Sequence, residues 1–422
     1  MVTAIPSSNI TSAPIVQIID FNQKVENFQY AKYEEFYFIA PGGRIKLSTQ
    51  STNVTFQFSV QWFSNITVYQ PTFLNVSASD AQPSIVDASY VNCLVTAETR
   101  ASAILIPLNS NWDRADQIKN LRSILIFDGP DGNSTCLGSA NQLLNSNRQF
   151  VSTGKTLTIV KLRLGGPTYE SHLLIQDFEN TKEIGEYRGV GGPNTRSIVM
   201  DASKQASAFS TYSYIGSSSE CLLNIKGTGT LEVYYGGRTE SKSNLIASYS
   251  ESSNGINLPQ TIRGVVRTYV LTGGIATVQI DLFGFCGMLT SNVAGFITSR
   301  EYKTNLTLEY SNDSQIYDSI RPFKYTLNVQ TVDLSQNKSL YLSITNNKAN
   351  VFNVVYNSSN PPMLNTVLSG VGDEMTVVYS SPDYYSKKGG FYIDFTATKV
   401  KESAAKSYGF IVIFAILWIG LF

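Results

Sequence analysis

Between residues 156 and 162 the chain reads TLTIVKL, and between 277 and 282 it reads TVQIDL, with apolar and polar residues trading places. A period of two marks a half-buried strand, because successive side chains leave opposite faces of the pleat. Related alternation runs through 44–47, 55–61, 231–235, 325–329, 339–344 and 391–395. Clusters of Gly, Asn, Asp, Ser and Pro separate these stretches, as turns require. Helical periodicity is scarce. NWDRADQIKNL at 111–121 predicts one short helix and the apolar C-terminal tail a second. The pattern predicts an all-β chain.

Some segments recur. FQFSVQW, SHLLIQDF, ATVQIDLF and GGFYIDF centre near Val60, Ile175, Ile280 and Ile393, about 105–115 residues apart. A Gly-containing turn and a β-rich strand precede most of them, in STGKTLTIVKLRL, TGGIATVQIDL and GVGDEMTVVYSS. Further upstream lie SILIFDGPDG, TLEVYYGG and VFNVVYNSS. A repeat this long is a domain rather than a solenoid unit. The expected division is a partial unit at 1–63, full units at 64–182, 183–298 and 299–400, and a tail at 401–422.

Charge narrows the partners. Only 15% of residues are charged, and Lys+Arg equals Asp+Glu at 32 each, so no basic field exists to attract nucleic acid. Ser, Thr and Asn supply the surface polarity instead. Nine N-x-S/T sequons stand at Asn9, Asn53, Asn65, Asn75, Asn133, Asn305, Asn312, Asn337 and Asn357. With four cysteines, an even number, they point to the secretory pathway.

The ends bear on location. Residues 409–422 are 14 uncharged, mostly apolar residues with no basic flank after them, short of the roughly 20 that a spanning helix needs. Small residues at Ser403, Ala404 and Ala405 precede them, which reads as a glycosylphosphatidylinositol (GPI) signal with its lipid attached at Ser403. A buried helix or a short retained anchor is the alternative. The N-terminus, MVTAIPSSNITSAPIVQ, has neither a basic region nor an apolar one, so a signal peptide is expected to be missing from this chain.

SILIFDGPDGNSTCLG, FVSTGKTLTIVKLRL and VVYSSPDYYSKKGGFYIDF together resemble the CUB fold, and more closely the nematode CUB-like family. The resemblance covers most of 64–397 and is most specific at 124–162 and 377–395. It implies tandem antiparallel β-sandwiches of the jelly-roll kind, at the extracellular face of an epithelial membrane, in the innate immune response to microbes. It implies binding of a protein or glycan, with the lipid anchor as the membrane contact and no cofactor. Within such units the simplest cysteine pairing is Cys93–Cys136 and Cys221–Cys286. Many CUB domains also hold calcium on loop carboxylates. Asp128 and Asp131 stand in the matching turn and Asp383 in a later one, but no unit keeps the full set. The other reading of FDGPDGNSTCLG is a turn, tied down by Cys136 and glycosylated at Asn133.

Catalytic signatures are sparse. His172 is the single histidine, on a predicted strand, and no G-x-S-x-G elbow accompanies it. One His and four Cys offer little to zinc. The Gly-rich stretches precede no helix that could cradle phosphate. The acid pair Asp373–Glu374 keeps a carboxylate-dependent hydrolase as an alternative, and a structural or adhesive protein binding host proteins is another. Tyr212, Tyr214, Tyr234, Tyr235, Tyr384 and Tyr385 are aromatic candidates for binding, or else packing residues.

Overall fold

A computed structural model describes residues 15–400, apart from 29–33, 40–41, 49–57, 62–70, 88–91, 108–113, 163–170, 193–194, 214–218, 251–256, 283, 285, 301, 304–311, 336, 364 and 381–388. The described chain is nearly all strand, with two short helices, Arg114–Arg122 and Ala140–Leu144. The first is the predicted helix, beginning three residues later and ending one later. Ala140–Leu144 went unforeseen, although Ser139 and Gln142 form a capping box at its start. Residues 58–61, part of a predicted strand, carry none, and Phe58 and Val60 are exposed. Among the described residues no strand pairs with them. The predicted C-terminal helix lies outside the described residues.

Two compact units divide the chain, the first built mainly from residues 1–254 and 262–284. It begins with an antiparallel sheet ordered Val25–Phe28, Ile15–Ile19, Arg44–Ser48. Two sheets follow. One runs Thr72–Val76, Cys93–Ala97, Thr156–Lys161, Ile124–Asp128, Thr135–Ser139; the other runs Phe150–Val151, Ala101–Ile106, His172–Asp177, Ser84–Asp87. A second pair repeats the plan. Ile184–Gly189, Ala206–Tyr212, Val266–Thr272, Thr230–Tyr235 and Leu245–Tyr249 make a five-stranded sheet, and Thr195–Ala202, Gly274–Asp281, Ser219–Gly227 and Gln260–Arg263 a four-stranded one. Pairing within the five-stranded sheets is antiparallel except at one edge of each, where Thr72–Val76 and Ile184–Gly189 run parallel to their neighbours.

Burial shows how these sheets stack. Ala101, Ala103, Leu105, Leu173 and Ile175 face one core, shared with Val95, Ile126 and Leu157 of the five-stranded sheet. Ile104, Ile106 and Leu174 face the other way, onto Tyr187, Ala208, Tyr234, Val266 and Val270 of the second sandwich. Ala101–Ile106 and His172–Asp177 are consequently buried at every position. The opposite face of the first five-stranded sheet, with Leu125, Phe127 and Val160, is covered by Phe21 and Ile39 of the N-terminal segment. Arg122 fastens that segment: it pairs with Glu26 and Glu34, and its guanidinium lies 4.0 Å from the Phe36 ring.

The second unit holds one six-stranded sheet, ordered Val293–Thr298, Phe391–Lys399, Asn312–Val332, Thr366–Ser380, Ser339–Asn346, Ala349–Tyr356. Val293–Thr298 pairs with Phe391–Lys399, so the expected boundary at 298 falls after a strand that belongs to the following sheet. Asn312–Val332 pairs Leu327 with Phe395, yet the ring of Tyr317, ten residues earlier, lies 5.2 Å from the Phe395 ring. A straight strand would separate them by about 33 Å. The sheet must fold back on itself, and the ladder breaks between Asp318 and Phe323, around Pro322. Opposite the break stands Gly372, where a Cβ would meet the Thr345 carbonyl at 2.1 Å. Proline without an N–H and glycine without a side chain suit such a corner. Leu340, Leu342 and Met375 from one half and Leu327, Ile393 and Ala397 from the other then share a single core. At the free edge, the Gln260 amide donates to the Phe296 carbonyl at 2.8 Å and accepts from the Phe296 N–H at 3.1 Å, standing in for a neighbouring strand.

Candidate functional site

Strand Ile124–Asp128 runs into the FDGPDG turn. The Asp128 carboxylate accepts the Thr153 N–H at 2.8 Å, and Gly129, at φ +142, passes so close to Ser134 that a Cβ would lie 2.4 Å from its Oγ. Asp131 accepts the Asn133 N–H and the Ser134 hydroxyl, both at 3.0 Å, and these bonds, the hydroxyl foremost, hold its carboxyl below the usual range. Both acids build the turn. Among the described residues no three His, Cys, Asp or Glu side chains come together in a way that could hold a metal ion. Asp383 lies outside the described residues. Of the sequons, Asn75, Asn133 and Asn337 are exposed and Asn357 is half-buried. Asn312 opens a strand, while Asn9, Asn53, Asn65, Asn305 and the proposed lipid site Ser403 lie outside the described residues.

The cysteine pairing needs one correction. Cys221 and Cys286 are disulfide-bonded. Cys93 and Cys136 are free and buried. Their strands sit in one sheet with two others between them, a separation of roughly 14 Å at about 4.8 Å per step, against the 4.4–6.8 Å that a disulfide spans. They also face opposite layers, Cys93 the sandwich core and Cys136 the side covered by the N-terminal segment. Proximity within a unit of the sequence is not proximity across a sheet.

The aromatic candidates divide. Tyr234 and Tyr235 have 0% exposure and belong to the core. Tyr212 is half-buried with its ring 4.3 Å from that of His172, itself buried on its strand. Tyr214, Tyr384 and Tyr385 lie outside the described residues. Asp373 and Glu374 are consecutive on a strand and so leave opposite faces. Asp373 accepts the Asn347 N–H at 2.9 Å.

Buried polar chemistry concentrates inside the second sandwich. Arg267 lies 3.1 Å from Glu220, both side chains excluded from water, and it donates to Gly264 O at 2.8 Å and to the Thr211 and Ser213 hydroxyls. Tyr269 and Thr211 donate to the same Glu220 oxygen. Burial raises the Glu220 pKa while Arg267 opposes that rise. These partners hold Arg267 and the Oε1 atom of Glu220, while Glu220 Oε2 is buried without a hydrogen-bond partner among the described residues. The sequence did not mark this network, because Glu220 and Arg267 are 47 positions apart and meet only when the two sheets close.

An open groove of about 340 Å³ is lined by Asn147, Arg148, Gly185, Glu186, Asp201, Ser203, Lys204 and Gln205. Its walls are fixed from below. The Tyr187 N–H donates to the Asn147 carbonyl at 2.7 Å, and Thr181 and Gln149 exchange hydrogen bonds at 2.8 and 3.1 Å. Asp201 accepts the Ser203 hydroxyl at 2.6 Å and its N–H at 2.9 Å, which shapes the turn that presents Lys204 and keeps its own carboxyl below the usual range. Gly185 leaves room for Gln205, whose Oε1 would otherwise sit 2.5 Å from a Cβ. None of these residues forms a sequence motif. They come from three separated turns and strand starts that only the stacking of the two sandwiches brings together.

Comparison with known families places the CUB-like match almost wholly ahead of residues 64–397, where the sequence motifs put the resemblance. A CUB-like domain family matches residues 2–67. Two domains of unknown function match the next stretches, DUF7592 at 75–162 and DUF7591 at 179–282. No curated protein matches the chain. Among solved structures, the CUB1-EGF-CUB2 domains of rat MASP-1 share 10% identity over 48% of this chain and 96% of that one, with a TM-score of 0.19. The corresponding human MASP-1/3 domains share 10% over 48% and 99%, at 0.21. The insecticidal delta-endotoxin Cry8Ea1 of Bacillus thuringiensis shares 8% over 72% and 53%, at 0.18. Among the described residues no helix is long and apolar enough to cross a membrane.

Proposed function

We propose that this chain is an extracellular binding protein, N-glycosylated and held at an epithelial cell surface by a GPI anchor, where it takes part in the innate immune response. The observation that carries the reading is the CUB-like match at residues 2–67, since such domains are binding modules rather than catalysts. Exposed sequon asparagines at 75, 133 and 337, a disulfide, and an apolar run at 409–422 support the location. The immune role rests on family resemblance alone. The test is to express the full gene product in animal cells and treat intact cells with phosphatidylinositol-specific phospholipase C. Release of a glycosylated protein into the medium is the expected result. A protein that carries no N-glycan at all would overturn the extracellular reading. One that is glycosylated but stays with the membrane would overturn only the lipid anchor.

A further inference from the structure

The sequons are unevenly spread. None lies between Asn133 and Asn305, so the whole second sandwich, from Ile184 to Asp281, carries no glycan site. On a chain otherwise dotted with attachment sites, that leaves one module whose surface stays open to a ligand. The polar groove lies at its border with the first sandwich.

The groove brings two cations together. The side chains of Arg148 and Lys204 line one cavity and neither is in an ion pair among the described residues. A guanidinium recognises a carboxylate through two parallel N–H bonds, and an ammonium adds a point charge beside it. The rest of the lining is a mixture of donors and acceptors: the Asn147 and Gln205 amides, the Ser203 hydroxyl and the Glu186 carboxylate. Glu186 and Asp201 also line it, so a doubly charged phosphate would meet more repulsion there than a singly charged carboxylate. Sugar hydroxyls would instead donate to Glu186 while accepting from the amides. The volume, about 340 Å³, falls in the range of small-ligand sites.

We propose that this groove binds a carboxylate-bearing sugar unit, with Arg148 and Lys204 holding the carboxylate and Asn147, Glu186 and Gln205 reading the hydroxyls. The inference deepens the binding function proposed above, and its test does not depend on the anchor. Full-length protein purified from animal cells is titrated by calorimetry with sialyllactose, with a glucuronic-acid-terminated disaccharide, and with lactose. An acidic sugar is expected to bind at least about tenfold more tightly than lactose, since charge-assisted bonds are roughly twice as strong as neutral ones. Which of the two acidic probes wins identifies the source of the carboxylate. Arg148→Gln and Lys204→Gln should each remove most of that preference and leave the thermal melt unchanged. Gln205→Asn creates the sequon N-A-S at 205–207, so a glycan confirmed there by mass spectrometry should block binding outright. Equal affinity for lactose and both acids, no binding by any of the three, or a preference that survives both charge substitutions would each overturn the proposal. A chain that binds an acidic sugar but carries no glycan keeps the groove and loses the extracellular reading.

Discussion

Cys93 and Cys136 show what a single residue's surroundings decide. Burial pushes both thiols up to about 11. A thiolate is the reactive form, so each should be inert at neutral pH. The sign for stability follows from which state lets go of the proton first. The unfolded chain releases it near pH 9 and the folded chain near 11, so their burial supports the fold below pH 9 and that support is lost as pH rises towards 11. Alkylation at pH 8 is expected to label no cysteine in the native protein and two after denaturation without reductant, at 93 and 136, as read by mass spectrometry. Four labels there would remove the Cys221–Cys286 bond from the account, and none would restore the Cys93–Cys136 pairing. At this scale the sequence was informative about turns. Asp131 was legible as a turn residue because its partners Asn133 and Ser134 lie within three positions, whereas Asp128 bonds Thr153, 25 positions on. The sequence was silent on cysteine pairing, which depends on how many strands stand between two positions.

At the scale of the element, periodicity succeeded at several strands with one wet face, though it missed Thr195–Ala202. Gly274–Asp281 and Phe391–Lys399 show alternating burial and were visible as strands. Ala101–Ile106 is covered on both sides, and its ASAILI has no alternation to detect. The groove residues were invisible for a different cause, since Arg148 and Lys204 are ordinary polar turn residues until two sandwiches meet. The bend in the six-stranded sheet gives the sharpest expectation here. Gly372→Val forces a side chain against the Thr345 backbone carbonyl, which cannot move aside as a flexible side chain would. A cost of about 1–3 kcal/mol is expected from such overpacking. Val367→Thr, at a 62% exposed position on the same strand, should stay within about 0.5 kcal/mol. Denaturant midpoints for the two variants settle the comparison, and equal midpoints would mean that the corner tolerates a side chain.

For the molecule as a whole, the Cys221–Cys286 bond closes a loop of about 65 residues. The chain-entropy relation assigns roughly 4 kcal/mol to a loop of that length. Reduction should therefore lower the stability of the second sandwich by about that much, measured by denaturant unfolding with and without reductant. An unchanged midpoint would show that the unfolded chain gains no freedom from the cut. The layer formed by Ile104, Ile106 and Leu174 on one side and Tyr187, Val266 and Val270 on the other has a consequence of its own. It makes the two sandwiches poor candidates for separation. A chain divided near residue 180 would not yield two portable modules; each fragment would carry half of a torn interface as a bare oily wall, along with one bank of the groove and not the other.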